Sequence, residues 1–348
     1  MNIAAVGSAF PPHYYDQDTL LEAFRAAWNA QHHNPRRLGQ LHKAVLVGGR
    51  HLALPMERYE ELESFGQAND AWIEVALDIG EAAMRDGLER AGLTPRDVDA
   101  LYFVSVTGLA TPSIDARLVN RLGLRPDVKR NPIFGLGCVA GAAGLARASD
   151  YLRAFPDQVA VLLSVELCSL TLQLRDLSIP NLISSGLFGD GAAAAVLTGA
   201  DRPAAGPRIV ATRSIFYPDT ERVMGWDIGE TGFKIVLSAD VPKVAQAFLP
   251  KDVDAFLAHH GLTRRDIATW ICHPGGPKVL HAMQDGLELP EGALDRTWKS
   301  LKEVGNLSSS SVLMVLQDQL TEPPAPGAWG LILAMGPGFC SELVLIRW

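Results

Sequence analysis

The sequence is short of cysteine, of long apolar runs and of net positive charge, and each shortage removes a class of protein. Its 348 residues hold four cysteines, Cys138, Cys168, Cys272 and Cys340, with no CxxC pair among them. That is neither a disulfide framework nor a thiolate metal cage, and a reducing cytoplasm is the expected setting. No apolar stretch approaches the ~20 residues that span a bilayer. Met1-Asn2-Ile3-Ala4 lacks the charged start and apolar core of a signal peptide, so the expectation is a cytoplasmic chain with no membrane span. The formal net charge of −8 gives no general affinity for nucleic acid or anionic membrane. There is no His/Cys cluster at metal-ligand spacing and no GxGxxG followed by an acidic residue, so no metal, flavin or nicotinamide cofactor is expected.

What is present is an α/β pattern written twice. Ala71 to Leu93 reads as a long amphipathic helix, and Val98 to Val106 and Val159 to Val165 read as buried strands. Ala192 to Leu197 reads as a tightly packed strand, and Trp329–Ala334 with Glu342–Trp348 as a closing antiparallel pair. Gly92-Leu93-Thr94-Pro95-Arg96-Asp97-Val98 recurs as Gly261-Leu262-Thr263-Arg264-Arg265-Asp266-Ile267. At nearly the same offset, Gly137-Cys138 before a helix of small residues is echoed by Gly305-Asn306 before serines and a helix. Two matches in one order argue for duplication. They place one domain over 1–203 and a second over 204–348, joined by the Pro/Gly/Ala-containing stretch Asp201–Pro207. If the halves pack about a pseudo-two-fold axis, the helix starts at Cys138 and Asn306 face one cavity. Unpaired N–H groups there favour a thiolate or an oxyanion.

Three residues carry the chemistry in this reading. Cys138 stands where a strand ends in glycines and a Gly/Ala-rich helix begins, a corner that exposes a nucleophile. His273 is delivered at the end of an apolar strand and followed by Pro274-Gly275-Gly276, which stops the strand. Strand ends are where α/β proteins place ligands. Asn306 precedes Ser308-Ser309-Ser310-Ser311; it suits a helix cap, a task Ser308 can share, and the repeat also aims it at the Cys138 chamber.

These segments resemble the Cys, His and Asn motifs of type III polyketide synthases, the chalcone-synthase-like branch of the thiolase fold. Phe188-Gly189-Asp190-Gly191, Met335-Gly336-Pro337-Gly338-Phe339 and Arg50-His51-Leu52-Ala53-Leu54-Pro55 are similar to that family too. The resemblance implies a duplicated, five-layered αβαβα fold, a homodimer, and malonyl-CoA and acyl-CoA as substrates. Cys138 would carry the acyl group, while His273 and Asn306 would stabilise the enolate formed as malonyl-CoA loses carbon dioxide. Phe188 matches a gatekeeper aromatic, and Met335, Gly336, Pro337, Gly338 and Phe339 match a loop that shapes the chamber wall. Asp190, between two glycines, reads as a turn residue. Cys168, Thr171, Ile235, Thr111 and Ser308 fall at pocket positions. Cys168 stands for a threonine of plant relatives, Ile235 for a second gate phenylalanine, and Thr111 for a methionine that crosses the dimer interface. These changes point to the alkylpyrone and alkylresorcinol synthases, with a fatty-acyl starter and cyclisation to a pyrone or resorcinol. Lys43 and Arg50, with Arg36 and Arg37, are candidates to hold CoA phosphates. A ketoacyl-ACP synthase III of fatty-acid synthesis is the alternative, though His273-Pro274-Gly275-Gly276 departs from its usual His-Gln-Ala-Asn.

Overall fold

Strands buried on both faces read as unbroken apolar runs, because no position along them faces water. Val159–Leu167 and Asp190–Thr198 are of this kind: every residue of each is buried. Such strands need helices on both sides, and that requirement organises the whole molecule.

The computed structural model describes residues 1–29, 34–202 and 205–348; the expected division at 203/204 lies outside the described residues. Up to residue 202 the elements are β1 (Asn2–Ala9), β2 (His13–Asp16), α1 (Gln17–Asn29), α2 (Pro35–Ala44), β3 (Gly49–Leu52), α3 (Phe65–Arg90) and β4 (Ala100–Ser105). They continue as α4 (Ile114–Leu122), β5 (Lys129–Phe134), α5 (Ala140–Ala154), β6 (Val159–Leu167), α6 (Ile179–Leu187) and β7 (Asp190–Thr198). From residue 205 come β8 (Arg208–Phe216), β9 (Met224–Gly229), β10 (Gly232–Leu237), α7 (Val241–His259) and β11 (Ile267–Cys272). The chain closes with α8 (Pro277–Gly286), α9 (Asp295–Val304), α10 (Ser311–Thr321), β12 (Trp329–Gly336) and β13 (Cys340–Arg347).

Nine strands form one ladder in the order β11-β12-β13-β8-β1-β7-β6-β4-β5. Its two parts meet at the single pairing Asn2↔Arg208, so they fold over the helices between them as two sheets. Side-chain alternation then sorts the core into three sandwiches. Ala160 and Leu162 of β6, with Val344 and Ile346 of β13, point inward onto α5 and α10. The alternate residues Val161 and Leu163 face α3 and α4. Leu343 and Leu345 face α7 and α8. The result is the thiolase-like αβαβα layering, with α5 and α10 as the central layer.

The repeat seen in the sequence is a repeat of structure. Thr94 donates to the Asp97 carboxylate at 2.7 Å and Thr263 to that of Asp266 at 2.8 Å, so each copy builds the same capped turn before a strand, β4 or β11. Gly137-Cys138 leads through a short 3-10 turn into α5; Gly305-Asn306 leads through another, Ser308–Ser310, into α10. The structure thus makes α5 and α10 counterparts, and both start toward the middle of the molecule.

Close backbone approach fixes the outer layer as well. A Cβ on Gly7 of β1 would overlap the Gly87 amide and the Ala83 carbonyl of α3. Gly7→Ala should therefore lower the free energy of unfolding by about 3 kcal/mol, at the upper end of overpacking costs, measured by urea titration. A variant as stable as the parent would show that α3 moves aside freely.

Candidate active site

The corner at Cys138 is built by sterics. β5 ends at Phe134, and Gly137 takes a φ of 56°, open to glycine at little cost. A Cβ on Gly137 would also sit 2.6 Å from the Pro337 ring, so the turn is pressed against the Met335–Phe339 loop. From the other side Gly336 lies where its own Cβ would meet the Val139 amide at 2.6 Å. Cys138 is left 6% exposed, with Sγ 3.6 Å from the Ser308 hydroxyl. Burial pushes its thiol up to about 12.

His273 follows β11 directly, and its amide donates to Leu333 O of β12 at 2.8 Å. The imidazole is buried, and Nδ1 has no partner among the described residues. Burial alone takes its pKa down to about 3. His273 shares a small hollow with Met335 and Phe339, the same loop that abuts the Cys138 turn.

Asn306 is held by backbone bonds to Leu187 O (2.9 Å) and from the Gly189 amide (3.0 Å), on either side of Phe188. Its Oδ1 accepts from the Ser308 amide at 2.8 Å, which leaves Nδ2 as a donor. The acceptor half of the amide caps the turn and the donor half remains for chemistry. Ser308 does not share that capping: its hydroxyl faces Cys138, and Ser311 takes the Leu307 amide instead, at 2.6 Å. The other serines of the run are committed too, Ser310 to Ser164 (2.7 Å) and Ser309 to both Ser164 and Glu166.

Glu166 was not singled out by the sequence, though a lone carboxylate inside the apolar run Val159–Leu167 is a signal. It is fully buried, and beyond Ser309 it accepts from Thr107 Oγ1 at 2.9 Å and the Val106 amide at 3.1 Å. Burial raises its pKa to about 7. Asp190 has the structural place expected of it, accepting from the Ala53 amide at 2.6 Å and the Ser169 amide at 2.8 Å.

A cavity of about 300 Å³ adjoins this centre. Cys168, Thr171, Phe188 and Ile235 line it, as does Trp226, directly across the β9–β10 ladder from Ile235. Trp226 was missed because nothing in its local sequence marks which face of the hairpin turns inward. Thr111 stands on an exposed loop and does not line that cavity. Lys43, Arg36 and Arg37 are exposed. Arg50 is 2% exposed and donates to Gln17 Oε1 and to the Ser185 and Gly186 carbonyls. Its expected contact with CoA phosphates gives way to a structural one: the guanidinium bolts β3 to α6. Among the described residues no group of three His, Cys, Asp or Glu is placed to hold a metal ion, and no helix is long and apolar enough to cross a membrane.

Comparison with known proteins agrees in every part of the chain. Residues 1–202 match the family model for the N-terminal domain of chalcone and stilbene synthases, and residues 208–348 match the model for their C-terminal domain. A 1,3,6,8-tetrahydroxynaphthalene synthase of Streptomyces peucetius subsp. caesius is 56% identical over 100% of this chain and 93% of its own length. A Bacillus subtilis protein provisionally named chalcone synthase is 39% identical, covering 99% and 98%. The crystal structure of 1,3,6,8-tetrahydroxynaphthalene synthase from Streptomyces coelicolor, a bacterial type III polyketide synthase, superposes with a TM-score of 0.95 at 32% identity, over 100% and 99% of the two chains.

Burial disfavours a thiolate at Cys138 and an imidazolium at His273 taken singly; a proton passed from the thiol to the imidazole would create both together, with the start of α5 beside the thiolate. In His273→Ala no imidazole takes that proton. Alkylation of Cys138 by iodoacetamide should then be slower than in the parent at pH 7 and rise about tenfold per pH unit toward the raised pKa. Equal rates in the two proteins at pH 7 would remove His273 from activation of the thiol.

Proposed function

We propose, since the chain belongs to the chalcone and stilbene synthase family and is a type III polyketide synthase, that it primes and extends with malonyl-CoA alone. The family places it away from the ketoacyl-ACP synthase alternative, and its members catalyse malonyl-CoA condensation. The product we assign is 1,3,6,8-tetrahydroxynaphthalene. The observation that carries this is the 56% identity, over the whole chain, to a synthase of that name. Ten ring carbons are five two-carbon units, so five malonyl groups, each losing one carboxyl as carbon dioxide, supply the nucleus.

The side chains present support a complete cycle in this reading. Cys138 Sγ attacks the starter thioester, its proton passes to His273, and CoA leaves as the thiol with that proton. A second malonyl-CoA then loses carbon dioxide. His273 and Asn306 Nδ2 donate to the thioester oxygen, where the negative charge collects. The enolate carbon attacks the acyl-Cys138 carbonyl, a carbon–carbon bond forms, and the Cys138 thiolate departs. The chain, two carbons longer, is returned to Cys138 for the next round.

A fatty-acyl starter is the second reading, favoured by the apolar far wall of the cavity, where Leu20, Ala23 and Phe24 of α1 stand beside Leu52 and Leu172. One assay separates the two: incubation with malonyl-CoA alone and with added acyl-CoAs, products read by mass spectrometry. A naphthalene product from malonyl-CoA alone is expected; no turnover without an added acyl-CoA would transfer the assignment to the second reading. In that case Cys168→Phe, which fills the cavity beside Phe188, should shorten the preferred starter, read as kcat/KM against chain length.

We further assign the working unit as a homodimer joined at β5. That strand is the outer edge of the ladder, and Phe134 at its end is 46% exposed. An exposed apolar group on an unpaired edge favours association. Light scattering should give two chains for the parent and one for Phe134→Asp; a dimeric Phe134→Asp would place the interface elsewhere.

A further inference from the structure

The turn after β8 is tied to the loop that braces the nucleophile. Thr220 Oγ1 accepts from the Phe339 amide at 2.6 Å and donates to Tyr217 O at 2.5 Å. The Tyr217 amide in turn donates to Phe339 O at 2.9 Å. Both backbone groups of Phe339 are therefore held by one turn of the chain. That turn is anchored: the Tyr217 phenol donates to Asp252 Oδ2 of α7 at 2.9 Å and meets Ser341 Oγ at 3.0 Å, while its ring stacks on Phe248 at 4.7 Å.

At its other end the loop leaves no slack. Gly336 and Pro337 sit against Val139 and Gly137, the neighbours of Cys138 on either side. Met335 and Phe339 close the hollow beside His273. A loop that slid would open both contacts at once, and a displacement near 1 Å at reacting groups costs on the order of a hundredfold in rate.

We propose that Thr220 is a positioning residue for condensation: its hydroxyl clamps the Phe339 amide so that the Gly336–Phe339 loop holds Cys138 and His273 in register. Thr220 touches neither residue and acts through the loop alone. The proposal rests on Cys138 being the nucleophile. Valine has the shape of threonine without the hydroxyl, so it leaves the Phe339 N–H, itself buried, without an acceptor.

The test compares Thr220→Val, Thr220→Ser and Cys138→Ala with the parent, reading kcat and KM for malonyl-CoA and the alkylation rate of Cys138. Thr220→Val should lose roughly 10–100-fold in kcat. Its KM should change less than about twofold and its Cys138 alkylation rate should differ from the parent's, while Thr220→Ser restores all three toward parental values. A Thr220→Val enzyme with parental kcat, or equal losses in the Ser and Val variants, overturns the proposal. If Thr220→Val yields no folded protein, Thr220→Ala against Thr220→Ser decides by the same two criteria. An active Cys138→Ala would instead strike the nucleophile assignment, so the two failures are told apart.

Discussion

The contact between Gly141 and the Ser309 carbonyl is the constraint on which the site depends. A Cβ at Gly141 would overlap that oxygen and crowd the Val312 side chain. Only glycine lets the first turn of α5 press against the turn that starts α10. Because the two helices are copies of one unit, this approach brings their N-termini together, and with them Cys138 and Asn306. Each terminus contributes unpaired N–H groups and the positive end of a helix dipole. The two helix starts therefore bring positive potential to the place where Cys138 and Asn306 meet.

The same approach explains the serine run. Glu166 from β6 lies between the helix starts, where an isolated carboxylate would cost several kcal/mol. It is offset by hydrogen bonds from Thr107, the Val106 amide and Ser309. Serine is the residue that satisfies such a group while filling little space: Ser308 faces Cys138, Ser309 bonds Glu166 and Ser164, Ser310 bonds Ser164, and Ser311 takes the Leu307 amide. Three links of this network join Glu166 and Ser164, before residue 202, to Ser309 and Ser310, beyond residue 205. The polar interior therefore registers the two copies against each other, while the apolar layers set only their spacing.

What was legible in the sequence is what repeats or what backbone geometry dictates. The paired Gly-Leu-Thr turns and the Pro-Gly-Gly stop after His273 have one physical meaning each and stand as read, while the glycines around Cys138 make the expected corner but leave the thiol buried, 6% exposed. The division of labour among polar atoms was not legible. Ser308 was expected to share a cap and instead faces Cys138, because Ser311, one helical turn after Leu307, reaches the Leu307 amide. Arg50 reads as a free cation in any window of sequence. Only the fold shows that it is buried under α6, where carbonyl oxygens take its donors.

Chemistry and specificity also rest on unlike parts of the scaffold. The Cys138 turn, the end of β11 and the start of α10 belong to layers packed on both sides, where a shift of one element clashes with the next. The adjoining cavity is walled instead by α1, the segment after β3, α6 and the two-stranded β9–β10 ribbon. Those pieces lie outside the layer of α5 and α10, so residues such as Trp226, Ile235 and Ala23 can change size without disturbing it. Fixed positions for Cys138, His273 and Asn306 beside an adjustable wall would let one condensation mechanism serve different starters and ring closures. The motifs that carry the family resemblance, around Cys138, His273 and Asn306, lie on the packed layers, whereas Cys168, Trp226 and Ile235 stand on the cavity wall, so those motifs alone say nothing of what the cavity holds.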